Sequence, residues 1–346
     1  MYLSNGNNPF AIIIFIMSII SSTPIHASLI CFIIVVLGIP VTIYFLKKFS
    51  IYDIPNNRSS HVTPIPRAGG IPLIIAIIGV SFIYLGSYLQ LIILVIPYAI
   101  LGLIDDFRNV SAKVRLFIQF VLAILDAILL LPPRYLIWIL PATLFVIGFV
   151  NAWNFMDGIN GLSAFSCILI GGTWWVLGVM DNYKFDTIVG SIAVGIGIGF
   201  AIYNAFVPKV FLGDVGAYGL GAMFGGSVIF SLKEPKIVIP MLLPLLPAIV
   251  DTSFTIVKRA IKKESLLKSH RDHTYQNLID KGFSHFSVAI IYSLFILYCS
   301  MMAILVTQSN KPEVFVEIMA CLLINGLYLM SPKILTSPEK TIQNNS

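Results

Sequence analysis

Apolar residues run without interruption for long stretches of this chain, and polar residues collect in the gaps between the runs. Many runs reach the roughly 20 residues that a helix needs to cross hydrocarbon, and they do not alternate as the strands of a membrane barrel do. We therefore predict an all-α, polytopic membrane protein with about 10–11 transmembrane helices. The predicted spans are 28–46, 69–88, 90–104, 116–132, 135–152, 162–180, 187–206, 216–232, 237–256, 286–306 and 313–331.

The two ends of the chain are set apart from this transmembrane domain, which we place at residues 28–331. Residues 1–27 form an N-terminal extension whose short apolar run lacks the basic flank of a signal peptide. A signal-like segment and an extra helix therefore both stay open for it. Residues 332–346 form a polar C-terminal tail.

The composition supports a membrane protein, and the positive net charge does not then indicate nucleic-acid binding. The chain has 346 residues, of which 58% are hydrophobic and 11% charged, whereas soluble domains carry about 25% charged residues. The mean hydropathy is +0.92. The net charge of +6 does not indicate nucleic acid, because in a membrane protein the location of basic residues matters more than their sum. The expected surroundings are a lipid bilayer.

Alternation of the spans divides the loops into two sets with very different charge. The second set carries only Arg134, Lys184, Lys233, Lys236 and Lys311, and the first set holds most of the remaining Lys and Arg. By the positive-inside rule the first set is cytoplasmic. The unusual polar clusters fall in the same set, so we predict a site on the cytoplasmic face. The first set comprises loops 47–68, 105–115, 153–161, 207–215 and 257–285.

Two clusters in these loops carry charges suited to phosphate chemistry. Asp105 and Asp106 are adjacent carboxylates that repel each other unless a cation lies nearby, and a divalent metal with a phosphate behind it is the obvious candidate. A polar helix end facing water is the alternative. Arg58, His61 and Arg67 supply donors for phosphate in a loop stiffened by prolines. The alternative there is a basic loop resting on anionic lipids.

Two further clusters carry amides and carboxylates. Asn151, Asn154, Asp157 and Asn160 recur every three residues after a helix expected to end near Asn151, so a helical turn would gather them on one side. Such groups suit a metal, a sugar or a uracil edge, and helix capping explains one of them better than all four. Asp214 lies between glycines at the start of a span, where capping is the alternative.

The longest cytoplasmic loop carries His270, Arg271 and His273, which could bind phosphate, pair with a carboxylate or ligate a metal. Asp126 and Asp251 lie within predicted spans, where ionisable groups are costly and often functional. We expect Asp251 to pair with Lys258 or Arg259. Asp126 has no assigned role.

The order and spacing of these clusters resemble the polyprenyl-phosphate N-acetylhexosamine-1-phosphate transferase family, glycosyltransferase family 4. The family also includes the phospho-N-acetylmuramoyl-pentapeptide transferase of peptidoglycan synthesis. The motifs extend from about residue 47 to residue 278. The resemblance implies transfer of a sugar 1-phosphate from a UDP-sugar to undecaprenyl (polyprenyl) phosphate, release of UMP, a requirement for Mg²⁺ (with Mn²⁺ as a substitute) and a bacterial cytoplasmic (inner) membrane. A homodimer is left open.

Two positions depart from the family pattern, since Asn160 stands where an aspartate is common and Asp272 where a histidine is common. The string from His270 to Gln276 looks like the branch that initiates O-antigen and similar surface polysaccharides, which implies a UDP-N-acetylhexosamine donor. A pentapeptide transferase, a prenyltransferase and a polyprenyl-phosphate transporter or flippase are the alternatives.

The resemblance and the charges of the reaction together assign residue roles. Asp214, assisted by Asn204, is assigned to Mg²⁺ and the diphosphate, and Asp105 to accepting a proton from the lipid phosphate. On this view Asp105→Asn abolishes transfer and leaves folding intact. The residues assigned to catalysis are Asp105, Asp106, Asp157, His270 and His273, and those assigned to substrate binding are Arg58, His61, Arg67, Lys113, Arg115, Asn151, Asn154, Asn160, Asn204 and Arg271.

Overall fold

A computed structural model describes residues 22–54, 64–83, 89–266, 270–309 and 311–335. Helices make up almost all of this part, and one short antiparallel pair, β1 (Tyr52–Asp53) and β2 (Ile65–Pro66), is the exception. The helices are α1 (Ser22–Lys48), α2 (Ile71–Ile83), α3 (Leu89–Arg108), α4 (Ala112–Leu130), α5 (Ile139–Met156), α6 (Leu162–Met180), α7 (Lys184–Ala201), α8 (Gly213–Phe230), α9 (Pro235–Leu242), α10 (Leu246–Ile261), α11 (Thr274–Asp280), α12 (His285–Val306) and α13 (Lys311–Ile334).

Each predicted span corresponds to helix, so the all-α prediction is confirmed. The span predicted at 237–256 is α9 and α10 joined by the tight turn Leu243–Leu245. Pro244 and Pro247 lie at this junction, and proline supplies no N–H for a continuous helix.

Among the helix ends that differ from the predicted spans, three lie at the site. Helix α3 continues through both aspartates to Arg108, α5 continues to Met156, and α8 begins at Gly213. Polar residues were taken as loop in each case. They remain helical because side chains from neighbouring elements satisfy the backbone groups at the helix ends.

Nine helical segments in the described part are long and apolar enough to cross a membrane. Two other predicted spans form helices of a different character. Helix α2 has only 13 residues, and α4 carries Lys113, Arg115 and Asp126. The nine segments are Thr23–Lys48, Leu89–Arg108, Pro133–Met156, Leu162–Met180, Lys184–Phe206, Gly213–Lys233, Pro235–Ile261, His285–Val306 and Pro312–Ile334.

The segment Gly213–Lys233, which contains α8, is the most enclosed of these nine, with 94% of its most apolar stretch buried. It packs against α3 and α5, and glycines allow a close approach at its first turn. A Cβ atom added at Gly102 would lie 2.2 Å from the carbonyl oxygen of Asp214. The end of α3 and the start of α8 are therefore in backbone contact, and this contact positions the site.

Candidate active site

The carboxylate of Asp106 binds the first turn of α8. Its Oδ1 accepts a hydrogen bond from the backbone N–H of Asp214 and its Oδ2 one from Val215, each at 3.0 Å. The free N–H groups and dipole at a helix N-terminus favour an anion there. Arg67 Nε lies 3.1 Å from Asp106 Oδ1. Asp106 thus joins α3, α8 and the loop before α2, and its side chain is 1% exposed.

Asp105 is held equally firmly on the neighbouring side. Its Oδ1 accepts from the backbone N–H of Val110 at 2.7 Å, and its Oδ2 accepts from Arg115 at 2.7 Å and from the Tyr218 hydroxyl at 2.9 Å. Arg115 Nη1 also donates to the Tyr218 hydroxyl at 3.1 Å. Both carboxylate oxygens are therefore occupied, and Asp105 connects the ends of α3, α4 and α8.

Asp214 differs from both because its side chain is 23% exposed. Its Oδ1 accepts a hydrogen bond from Asn154 Nδ2 at 2.8 Å. Its Oδ2 lies 3.9 Å from Arg67 Nη2. Of the three aspartates, Asp214 is the one whose carboxylate is presented to solvent, with a guanidinium and an amide beside it.

Gly213 takes a left-handed backbone conformation, with φ of +73°. A Cβ atom there would lie 2.5 Å from the backbone nitrogen of Ala68 and 2.7 Å from Asp106 Oδ2. Any larger residue would displace either the loop or the carboxylate. The glycine before Asp214 is thus required by the packing of the cluster.

The four polar residues from 151 to 160 do not share one face, contrary to expectation. Helix α5 ends at Met156, so Asn151 and Asn154 are helical and Asp157 and Asn160 lie in the turn that follows. Asn151 donates to the Gln119 side chain at 2.7 Å rather than facing the cluster. Asn154 reaches the cluster through Asp214. Asn160 Oδ1 is buried without a hydrogen-bond partner.

Asp157 accepts a hydrogen bond from the Ser163 hydroxyl at 2.6 Å. Burial raises the pKa of Asp157 to about 8, the Ser163 hydrogen bond opposes this, and the negative charges of Asp214 and Asp106 add to it. A cation bound in the cluster would favour the ionised form. The predicted catalytic role of Asp157 stays a prediction.

Asn204 lies in the wide helical turn Ile202–Phe206 that follows α7. Its Oδ1 accepts from the backbone N–H of Gly161 at 2.7 Å, and its Nδ2 donates to the carbonyl of Val210 at 3.0 Å. The buried side chain therefore joins two of the loops. Its assignment to Mg²⁺ stays a prediction, since its amide is used within the protein here.

The segment that carries His270 and His273, residues 270–275, contacts the last turn of α5. The Tyr275 hydroxyl donates to the carbonyl of Phe155 at 2.7 Å. His270 and His273 lie together, with ring centroids 5.2 Å apart, and both lie near the Phe155 ring. Desolvation and the neighbouring charges of His273 and Arg259 lower the pKa of His270. Described residues from all five loops of the first set thus lie together.

The pairing predicted for Asp251 is wrong. Arg259 forms ion pairs with Asp272 and Glu264, and Asp251 instead accepts hydrogen bonds from Thr274 and Tyr328. The reason is geometric, because Arg259 lies two turns along α10 from Asp251 and faces the loop that follows that helix.

The remaining predicted residues lie at the edges of the cluster or beyond the described ranges. Lys113 is exposed in the first turn of α4, and Arg271 pairs with Asp280 at 2.8 Å. Arg58 and His61 lie outside the described residues. Asp126 is buried on α4, about 16 Å along the helix axis from Arg115.

Several residues that contribute to the site were missed by sequence reasoning. The Tyr218 hydroxyl, the Gln119 amide and the Ser163 hydroxyl each contact a predicted site residue. Tyr218 follows Asp214 by four residues, which places both on one face of α8. This spacing was a usable signal, whereas Gln119 and Ser163 offered none.

Mg²⁺ usually binds through one or two protein carboxylates together with substrate phosphates. Within the described ranges, no group of three or more His, Cys, Asp or Glu side chains forms a ready metal site. The partly exposed carboxylate of Asp214 matches Mg²⁺ binding through one protein carboxylate together with substrate phosphates. The donor set therefore fits a metal that is completed by a phosphate ligand.

The fold and the site define a polytopic helical membrane protein with an acidic and basic cluster where its loops converge. The profile "Glycosyl transferase family 4" matches residues 88–232, which include Asp105, Asp106 and Asp214. Residues 88–232 therefore form a glycosyl transferase family 4 region, and this match agrees with the predicted family.

Named relatives agree with this assignment. The chain is 29% identical over 275 residues to the "Probable undecaprenyl-phosphate N-acetylglucosaminyl 1-phosphate transferase" of Bacillus subtilis (strain 168), covering 73% of this chain and 76% of that protein. It is 28% identical over 254 residues to the "Phospho-N-acetylmuramoyl-pentapeptide-transferase" of Streptococcus mutans, covering 62% of this chain and 74% of the relative. The enzyme of that name from Streptococcus pneumoniae (strain CGSP14) is 27% identical over 232 residues, or 58% and 71% of the two chains.

Proposed function

We propose that the chain transfers an N-acetylhexosamine 1-phosphate from a UDP-sugar to undecaprenyl phosphate and releases UMP. An oxygen of the lipid phosphate attacks the β-phosphorus of the donor, and the bond from that phosphorus to the bridging oxygen breaks, so that this oxygen leaves with UMP. The polyprenyl-diphosphate sugar remains in the membrane. The B. subtilis relative carries an undecaprenyl-phosphate N-acetylglucosaminyl 1-phosphate transferase name, which supports this reaction.

One observation carries the proposal: Asp214 is a partly exposed carboxylate with the Arg67 guanidinium and the Asn154 amide beside it. The reaction brings an anionic acceptor to an anionic diphosphate, so its barrier is lowered mainly by positioning and by neutralising charge. A cluster of fixed positive and negative groups in a partly enclosed site is suited to this task.

Asp214 would hold Mg²⁺, which would supply positive charge to the diphosphate when bound. Among the described residues, Arg67 brings a cation to 3.9 Å from this carboxylate. Exposed Lys113 at the start of α4 would attract the phosphate of the acceptor. Asp105, Asp106 and Arg115 hold the elements that carry these groups, because their charges are largely satisfied by one another and by the backbone.

We place the site at the cytoplasmic side of the bacterial inner membrane, because the converging loops carry most of the basic residues. The use of a UDP-sugar as donor for surface-polysaccharide synthesis is consistent with a site on the cytoplasmic side. A transporter would instead need polar groups along a path through the membrane midplane.

The proposed function differs from that of the pentapeptide transferases, to which the chain is 27–28% identical, in the sugar donor that is used. The test uses the purified full-length protein in detergent with undecaprenyl phosphate, Mg²⁺ and a panel of UDP-N-acetylated sugars, and it measures UMP release. We expect UMP release that requires the lipid and is fastest with a UDP-N-acetylhexosamine.

A preference for UDP-N-acetylmuramoyl-pentapeptide would move the chain to the peptidoglycan step. Absence of UMP release with every donor, together with movement of polyprenyl phosphate across vesicles, would identify a transporter instead. Omission of the lipid is the control, because it separates transfer from hydrolysis of the donor.

A further inference from the structure

Arg259 is a cation in the last turn of α10, and its contacts lie outside the cluster around Asp214. Its side chain is only 10% exposed. Nη1 pairs with Glu264 Oε2 at 3.0 Å and with Asp272 Oδ2, and Nη2 donates to the carbonyl oxygen of Ser265 at 2.8 Å. The planar guanidinium presents its N–H groups in a fixed fork, so this one side chain holds three partners in place.

Of the two carboxylates that pair with this guanidinium, Asp272 is the one that belongs to the histidine segment, by which we mean residues 270–275. Asp272 directly precedes His273, and its Oδ2 lies 3.7 Å from His270 Nδ1. Its backbone carbonyl also accepts a hydrogen bond from the Asn277 side chain in α11, at 3.1 Å. A histidine, which is common at this position in the family, has no carboxylate to offer the guanidinium, so the ion pair is a property of this chain.

The two histidines lie against the last turn of α5, which carries part of the site. The centroids of their rings are 6.1 and 5.6 Å from that of the Phe155 ring. Phe155 directly follows Asn154, whose amide donates to Asp214 at 2.8 Å. A shift of the histidine segment relative to α10 would therefore change where its two imidazoles lie relative to Asn154 and Asp214.

We propose that Arg259 is a positioning residue for the transfer reaction: its ion pair with Asp272 fixes the histidine segment to α10 and thereby sets where His270 and His273 lie beside the site. The inference rests on the proposed function for the reaction that is affected. The hydrogen bond from Tyr275 to α5 remains when the ion pair is lost, so the segment is displaced rather than released. A displacement of about 1 Å can cost about 100-fold in rate.

Asp272→Asn and Glu264→Gln form a matched pair of variants, because each removes one of the two carboxylates from the same guanidinium. Each leaves Arg259 with the other carboxylate, so neither creates a buried unpaired charge. Asp272 and Glu264 are 33% and 41% exposed, so their amide replacements stay in contact with water. The variants differ in one respect, since only Asp272→Asn removes the link to the histidine segment.

The first measurement does not depend on activity. It is amide hydrogen exchange of the full-length protein in detergent, read by mass spectrometry. We expect the histidine segment to exchange at least about tenfold faster in Asp272→Asn than in the wild-type protein, because a hydrogen bond between charged groups is lost. Glu264→Gln should leave this exchange unchanged, and α12 should exchange alike in all three proteins. Equal exchange of the segment in Asp272→Asn and the wild-type protein would overturn the inference.

The second measurement is kinetic and uses UMP release. We expect Asp272→Asn to lower kcat about 10- to 100-fold, whereas Glu264→Gln should keep the wild-type kcat. In an Arg259→Gln background, Asp272→Asn should have almost no further effect, because its partner is already gone. Arg259→Lys keeps the charge without the fork and should retain more activity than Arg259→Gln. Full additivity of the Arg259→Gln and Asp272→Asn losses would contradict the inference.

Thermal unfolding separates positioning from a general loss of stability. Asp272→Asn should have a lowered kcat at a temperature well below its transition, and a normal kcat there would show a purely structural role and overturn the inference. If Asp272→Asn fails to fold, Arg259→Lys takes its place in both measurements. A wild-type protein without transfer activity would contradict the proposed function, while hydrogen exchange would still decide whether Arg259 holds the histidine segment.

Discussion

Asp214→Asn is expected to lower the rate of UMP release about 1,000-fold, a loss typical of removing one group that stabilises charge in the transition state. The substitution keeps the size of the side chain and an oxygen for the Asn154 amide. It removes the negative charge that would hold Mg²⁺ and that lies 3.9 Å from the Arg67 guanidinium. Folding should change little, because the Asp214 side chain is partly exposed and the start of α8 is held through its backbone N–H groups.

The measurement is a Mg²⁺ titration of UMP release by the wild-type protein and the variant. Chelation of divalent ions should stop the wild-type reaction, Mg²⁺ should restore it, and Mn²⁺ should substitute. The variant should need more Mg²⁺ and remain slow at saturation. Asp181→Asn is the control, because Asp181 is an exposed carboxylate in the loop between α6 and α7. Wild-type rates and Mg²⁺ dependence in Asp214→Asn would contradict the assignment of the metal to this residue.

Hydrophobic runs were sufficient to predict the helices, because each span must bury an apolar length fixed by the bilayer. Their ends were less predictable. Asp105, Asp106 and Asp214 are polar and were read as loop, yet all three are helical. What keeps them helical is long-range: the carboxylate of Asp106 satisfies the first N–H groups of α8, more than a hundred positions further along the chain. A periodicity within one segment carries no information about such a partner.

The sequence predicted which residues belong to the site better than it predicted what each of them does there. The sequence placed the aspartate pair, Asp214 and the histidines on one face, and the loops do converge. The sequence did not distinguish a carboxylate whose oxygens accept hydrogen bonds within the protein, such as Asp105, from one that is exposed to solvent, such as Asp214. Asp105 and Asp214 look equivalent in the sequence, and the difference arises from Arg115 and Tyr218, which approach Asp105 from other helices.

Asp105→Asn is expected to affect both stability and transfer, whereas the sequence alone predicts loss of transfer in a normally folded protein. Asp105 receives three hydrogen bonds, one of them from the charged Arg115. The amide nitrogen of Asn would oppose one of these donors, and Arg115, whose side chain is 32% exposed, would lose its ion pair with the buried carboxylate. We expect the free energy of unfolding to fall by about 2–4 kcal/mol, and UMP release to fall at least tenfold because α3, α4 and α8 lose their shared contact.

Thermal unfolding in detergent measures the first effect, and UMP release at a temperature well below the transition measures the second. Tyr218→Phe is the graded comparison, because it removes one neutral donor to Asp105 and should cost about 1 kcal/mol. If Asp105→Asn instead unfolds at the wild-type temperature and has no transfer activity, Asp105 acts on the substrate itself. The two outcomes distinguish a carboxylate that accepts a proton from one that fixes the end of α3 against α8, and the contacts of Asp105 favour the second.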